Sequence, residues 1–579
     1  MGKAGGRRRK SGPTKARANP LGKASKSTND AALGLIRQLD SSNSEERLQA
    51  CITLSNMFAP LEDEEQQQLE KVEKRAKQMA ETVEVLVSNK AFKVLMKRVS
   101  DADPQVRQQA CSALCTIAAA WDPVCEILAE EGIHLAALAL LNESTANFPT
   151  VAVPETVILA LQVLADLCNS SVAATKSFES NTALEKLCYL VNGAHSGLPK
   201  ALELAEGASK LLYTIMDGNK MLAMQLAQKG DALSQLASAC ADDKLAKESL
   251  FAALNGVGAF VSVGYLICQP DLVNPSKVGE RALALAERAL EVGPSPDFLT
   301  ESLALEILIN GCSPSGDAEE FGDETAAKFE QSAVEQMCLA FVNHSVAKAV
   351  GQVLTVAESD IKTPFATQLG TRACALLDNV VQNASPEALK ALEPQSIFVV
   401  SWRLLALGVV EKDNADTEEI LDAVTALIWS IMRHTLDKSM GISMVVTRDH
   451  LAGLFAAAQS TVSPNTRMNL VGVFGSIAGA MPQGLEQEDF TKLVMALVSC
   501  AADASMPVSV QAIDSLIDVF ADDDRHAQFM ELKVGSAMKA TLPRFRSSLQ
   551  DQALFMDRSS LEEVTTNLVG FLEYKGVSV

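Results

Sequence analysis

Twenty residues, "LIRQLDSSNSEERLQACITL" (Leu35 to Leu54), return in kind as "LMKRVSDADPQVRQQACSAL" (Leu95 to Leu114). Each copy has an apolar helix, a short acidic or polar turn, and an Arg shortly ahead of an Ala-Cys pair. Arg47 aligns with Arg107, Ala50 with Ala110, Cys51 with Cys111 and Leu54 with Leu114. In the second copy Asp103 can cap the next helix, and Pro104 takes its first position, where a missing N–H costs little. The small Ala and Cys let paired helices approach closely. A helix pair of this kind cannot hide its apolar face alone and must stack on neighbours, which predicts a curved solenoid with an extended concave surface.

Later segments echo the pattern. "VPETVILALQVLADLCNSS" (Val153 to Ser171) opens on Pro154. "SPNTRMNLVGVFGSIAGAM" (Ser463 to Met481) places Arg467 just inside a helix whose glycines permit tight packing. "DASMPVSVQAIDSLIDVFADDD" (Asp503 to Asp524) starts a helix at Pro507 and runs an apolar face from Val510 to Phe520. Apolar residues recur at helical spacing almost throughout, and no convincing alternating strand is present. The expected fold class is all-α, an α-solenoid of armadillo-like repeats followed by HEAT-like repeats.

Interruptions set the expected organisation. Residues 1–29 read as a disordered basic tail, 30–291 as the armadillo-like array, 292–300 as a linker, and 301–579 as the HEAT-like array. The linker reading comes from "VGPSPDFLT" (Val292 to Thr300), a Pro/Gly break. "EDEEQQQLEKVEKRAKQMAETVE" (Glu62 to Glu84) reads as a long charged helix with a solvated face. "SPSGDAEEFGDE" (Ser313 to Glu324), with five acids and no base, reads as a flexible acidic loop. A further acidic patch is "EKDNADTEE" (Glu411 to Glu419).

Composition narrows the class. Aromatics are 5% against 48% apolar residues, so Ala, Leu and Val supply most of the apolar mass, as in closely packed helices. The twelve Cys are scattered singly through apolar runs, among them Cys111 and Cys115, and read as small buried hydrophobes in a reducing compartment. The basic start is followed by no apolar stretch, so no signal peptide is expected, and Gly6 stands where a myristoylation motif needs Ser or Thr. The nineteen uncharged residues Leu250 to Cys268 approach a membrane-spanning length. Asn255, Ser262 and three Gly lower their hydrophobicity, however, and they read as a buried central helix pair with no membrane role.

The six His lie far apart and none sits near a Cys pair at zinc spacing, so no metal site is expected. There is no P-loop, and "GVGAFV" at Gly256 lacks the third Gly of a dinucleotide fingerprint. "GVFGSIAG" places Ser476 beside Gly rather than between the glycines of a nucleophile elbow. Neither enzyme activity nor a cofactor is expected.

Charge and shape remain. The formal charge is −22, yet up to Asn29 there are nine Lys or Arg and no acid, leaving −31 from Asp30 onward. Such a body is repelled by nucleic-acid phosphates and anionic membranes and favours basic proteins. Acidic loops steer and mask a partner's cationic surface. The tail has its own pattern: "RRRK" (Arg7, Arg8, Arg9, Lys10), then "RANPL", with Arg17, Pro20 and Leu21. It resembles a proline-tyrosine nuclear localisation signal with Leu in place of Tyr. Such a signal is held extended by Pro in the acidic groove of a transportin-type importin.

Taken together, "MGKAGGRRR…ANPL", "PETVILALQVLADLC", "LALEILINGCSPSGDAEEFGDE", "RMNLVGVFGSIAG" and "AIDSLIDVFADDD" stand in the order seen in the symportin family, known in animals as HEAT repeat-containing protein three. The chain resembles that family along nearly its whole length. The resemblance implies a shuttling adaptor, nuclear and cytoplasmic, monomeric without cargo. It would bring ribosomal proteins five and eleven of the large subunit into the nucleus together for 5S ribonucleoprotein assembly, touching 5S RNA only through them. It implies that Arg17, Pro20 and Leu21 contact the importin, with Arg7 to Lys10 as an auxiliary epitope. It also implies that one cargo's N-terminal segment lies in the armadillo groove. Asp317, Glu319, Glu320, Asp323 and Glu324 would help cover the other cargo's RNA-binding face. Relatives often carry a much longer acidic insertion near the junction of the arrays. The alternative from a different class is a non-transport helical-repeat scaffold, which would leave tail and loop as coincidence.

Overall fold

Proline opens several of the long helices, in some behind a short polar cap. Asp103 accepts the Gln105 N–H at 2.9 Å, and Pro104 is the first residue of the helix Pro104–Ala120. Ser463 and Thr363 cap the helices Pro464–Ala480 and Pro364–Asn383 in the same way. Pro154 begins Pro154–Ser170, and Pro507 is the second residue of Met506–Val519. The computed structural model describes residues 26–579 apart from 60–68, 121, 147–150, 152, 180–181, 268–274, 292–297, 315–323, 360, 362, 411–414, 437–441, 443, 483 and 550–557. Among the described residues every regular element is helical.

The chain divides into two compact units, one of Met1–Leu285 with Ser315–Glu330 and the other of Ala286–Pro314 with Gln331–Val579. In the first unit a ladder of helices packs side by side in chain order: Ser44–Phe58, Pro104–Ala120, Pro154–Ser170, Ala201–Met216 and Leu250–Ile267. Shorter helices such as Ile133–Ser144 and Ala183–Asn192 cover one side of it. In the second unit the ladder is Leu299–Gly311, Pro364–Asn383, Ala415–Thr435, Pro464–Ala480, Met506–Val519 and Arg558–Tyr574. There Val346–Ser359, Pro394–Val410 and Gln487–Ala501 are among the covering helices. This is the stacked helix-pair architecture that the repeat pattern predicts.

Small residues sit where ladder helices meet: Ala50, Ala110 and Ala160 are fully buried. Cys51 and Cys111 lie in the same seam, where burial pushes their thiols up to about 11 and about 12. They are therefore protonated packing groups, and Cys115 is buried in the same manner.

The aligned arginines do the same work in both copies. Arg47 donates to the carbonyls of Ser41 and Ser42 at 3.0 Å, and Arg107 donates to those of Asp101 and Ala102 at 2.6 and 3.2 Å. Each thus caps the helix end just before its own helix, where carbonyls lack partners. Arg281, Arg525 and Arg544 perform the same service between helices farther apart in sequence, taking the carbonyls of Cys240, Ala478 and Ala504 respectively.

Several expectations need correction. The charged helix runs Leu69–Ser88, four residues past Glu84, because Val85 and Leu86 are buried. Leu299 already begins a helix, so the break ends at Phe298; residues 292–297 lie outside the described residues. Residues 411–414 also lie outside them, but the acidic patch continues into the first turns of Ala415–Thr435, where Glu418 and Glu419 are exposed. Leu250–Ile267 is one helix and not a pair. The Asn255 and Ser262 side chains are satisfied by the carbonyls of Phe251 and Gly258 four residues back, so they do not interrupt it. No single described helix is long and apolar enough to cross a membrane; Lys328–Asn343 and Val346–Ser359 reach that measure only jointly, across a 74° bend.

Candidate protein-interaction surface

A ladder helix covered on one side presents its opposite stripe to solvent, and the side chains on that open face are what a partner meets. In the first unit the stripe is polar. Gln162 and Asp166 share it on Pro154–Ser170, and Glu206 and Lys210 share it on Ala201–Met216, each pair at i, i+4. Asp166 and Lys210 meet across the helices at 3.6 Å. Ser55 and Thr116 share a hydrogen bond of 3.0 Å, and Ser249 donates to Glu206 at 2.5 Å. An amide with charges of both signs in a row suits the main chain of an extended segment, which needs donors and acceptors rather than one charge.

The second unit has a different face. Trp429 lies flat on the backbone of Gly472: a Cβ there would stand 2.2 Å from Cε2 and 2.6 Å from Cδ2 of the indole. Gly475 is similarly overlaid by Ser515, whose Cβ would be 2.6 Å away. Gly472 and Gly475 of "GVFGSIAG" are thus a packing floor, as the tight-packing reading of that stretch anticipated, whereas nothing lies within 4 Å of a Cβ at Gly479. Between the ladder helices run buried polar links. Asp378 accepts from Ser430, and from Gln382 at 2.9 Å, and no cation stands among these partners; burial raises its pKa despite those bonds. Asn379 and Asn383 donate to the carbonyls of Ile309 and Cys312 at 3.3 and 3.2 Å.

The predicted site residues are placed as follows. Arg7, Arg8, Arg9, Lys10, Arg17, Pro20 and Leu21 lie outside the described residues, as do Asp317, Glu319, Glu320 and Asp323. Glu324, expected in the flexible loop, instead opens the helix Glu324–Asn343; its side chain is not among those described. Trp429, Asp514 and Asp518 went unmarked in the sequence. They stand on two helices that pack against Pro464–Ala480, and only the glycine run between them gave a signal.

Among the described residues no group of three or more His, Cys, Asp or Glu side chains could hold a metal ion. Burial pushes His134, His434 and His450 below their ordinary range, which favours the uncharged ring. His450 is occupied structurally: its Nδ1 accepts the Thr447 N–H, and its ring packs edge-on against Phe398 at 5.0 Å.

Stacked helix pairs, with a polar open face in the first unit, define a helical-repeat protein. Residues 347–578 match the family described as SYO1-like, TPR repeats. The chain is 24% identical over 318 residues to HEAT repeat-containing protein 3 of Homo sapiens, covering 48% of this chain and 45% of the relative. It is 22% identical to the Mus musculus protein of that name, over 48% of this chain and 46% of the relative. The match therefore spans just under half the length of these curated relatives. The chain is a helical-repeat protein related to HEAT repeat-containing protein 3, which bears out the symportin resemblance drawn from its motifs. Among solved structures, an engineered protein aligns with a TM-score of 0.46 at 14% identity, over 94% of this chain and 98% of the other. A designed armadillo repeat protein aligns at 0.31 and 22% identity, over 52% and 98%.

Proposed function

We propose that this chain is a nuclear import adaptor and chaperone, a scaffold without catalysis. It binds newly made ribosomal proteins five and eleven of the large subunit and links them to a transportin-type importin for 5S ribonucleoprotein assembly. The observation that carries this reading is the SYO1-like match over 347–578, set on a body whose formal charge is −31 beyond its basic leader. Strongly cationic ribosomal proteins are the partners such a charge attracts, and masking their RNA-binding surfaces prevents off-target association before assembly. The polar open face of the first unit suits one client's extended N-terminal segment. Asp317, Glu319, Glu320, Asp323 and Glu324 supply acid against the other client. Arg17, Pro20 and Leu21, with Arg7 to Lys10, form the address read by the importin, so the adaptor shuttles between cytoplasm and nucleus. 5S RNA is met only through the clients.

The address is tested by changing Pro20→Ala and Leu21→Ala together. The double variant is expected to lose importin in a pull-down while keeping ribosomal proteins. Importin capture at parental strength would reject the adaptor reading of the leader.

A further inference from the structure

The open face around Pro464–Ala480 carries more than acidity. Trp429 reaches over from Ala415–Thr435 and lays one face of its indole on Gly472, and the residue is half-buried, so part of it stays open to solvent. Met468, also half-buried, lies one helical turn before Gly472 on the same helix. On the far side, Pro507, Gln511, Asp514 and Asp518 share one stripe of Met506–Val519 by their spacing, with Asp518 exposed. The carboxyl of Asp514 is pushed up to about 6 by burial, then by the charge of Asp518, with Glu563 adding in the same sense. Arg433 is a cation that acts on Asp518. The face therefore pairs a part-exposed indole with two neighbouring carboxylates.

We propose that this face docks an extended segment of a basic client, one Arg or Lys stacking on Trp429 and a second engaging Asp514 and Asp518. An extended chain points alternate residues to one side about 7 Å apart, which suits a crossing over the glycine floor between helices packed roughly 8–10 Å apart. A cation gains from both elements, by cation–π attraction and by charge pairing. An apolar helix laid here would bury two carboxylates without partners, and an acidic segment would be repelled. The inference rests on the adaptor reading and assigns it a contact point in the second unit.

The test uses the full chain and a fluorescent peptide carrying Arg at alternate positions. Asp514→Asn with Asp518→Asn is expected to weaken peptide binding about tenfold at low salt while melting no lower than the parent, since it removes a half-buried charge and its repulsion with a neighbouring one. Trp429→Leu, which fills the same space without a strong π face, is expected to weaken it several-fold, about 1 kcal/mol of cation–π attraction being lost. Neutralising Glu387 and Glu531, exposed acids away from this face, is expected to change little. Binding by the Asp514/Asp518 variant within about twofold of the parent overturns the proposal. Equal weakening by the Glu387/Glu531 pair also overturns it, because attraction would then be bulk charge. A preference of about tenfold for a peptide copied from Arg7 to Lys23 overturns it as well, naming the chain's own leader as occupant. Peptide binding through these residues by a chain that ignores ribosomal proteins five and eleven would uphold the site and reject the adaptor function.

Discussion

Asp101→Ala is expected to cost the first unit about 3 kcal/mol, the lower end of what breaking a buried ion pair costs. Asp101 is buried and receives Arg47 in a two-pronged grip, Nε and Nη2 each at 2.8 Å, with Arg98 Nη1 at 2.9 Å and the Asp103 N–H at 3.0 Å. Truncation leaves two largely covered guanidinium groups without their carboxylate, side chains that are only 11% and 16% exposed. It also loosens Arg47 from the helix end it caps. Burial by itself would raise the Asp101 pKa. The hydrogen bonds of Arg47 and the Asp103 N–H, with the charges of Arg47 and Arg98, outweigh burial and hold it below the ordinary range. Because the folded value lies below the unfolded one, this stabilisation is complete above roughly pH 4 and is lost as pH falls through the folded pKa. Hydrogen-exchange rates of the amides in Ser44–Phe58 and Pro104–Ala120 provide the readout. Parental protection of those helices in the alanine variant would show that the grip contributes nothing.

Gly472→Ala and Gly479→Ala are expected to move stability in opposite directions, although they stand seven residues apart on one helix. A methyl at Gly472 would sit 2.2 Å from Trp429 Cε2 and 2.4 Å from Nε1, atoms of a rigid bicycle that no terminal rotation can withdraw. The ring must leave, and the overpacking penalty of about 1–3 kcal/mol outweighs the helix propensity of up to about 1 kcal/mol that alanine restores. A net loss of roughly 1 kcal/mol is expected, with the Trp429 emission shifted to the red as the indole enters water. At Gly479 nothing lies within 4 Å of the added methyl, so the propensity gain of up to about 1 kcal/mol stands alone. Denaturant unfolding followed by tryptophan fluorescence measures both. An unshifted emission in the Gly472 variant would contradict the flat packing of indole on backbone.

What could be read in advance was what is local. Pro104, Pro154, Pro464 and Pro507 mark helix starts because a proline near N1 acts within one turn. The match of Arg47 with Arg107 was visible, and the structure explains it by carbonyl capping at the same sequence offset. The equivalent duty of Arg544, forty residues from the carbonyl it takes, had no sequence signal. Trp429 and Gly472 illustrate the same limit: the glycine run announced close packing, but the partner in it stands forty-three residues earlier. Start and stop signals also failed where chain composition pointed both ways. Leu299 follows a Pro/Gly break closely enough to read as linker, yet Leu303, Leu305 and Leu308 give its helix buried faces to pack. The candidate surface was legible as charge, through −31 beyond the leader, and illegible as shape.

The most direct examination of this account is size-exclusion chromatography with light scattering. The intact chain would be mixed with ribosomal proteins five and eleven and a transportin-type importin at near-physiological salt. One co-eluting assembly containing all four components is the predicted result, with the importin alone dropping out when residues 1–29 are removed. Ribosomal proteins eluting apart from the chain, with or without the importin, would contradict it.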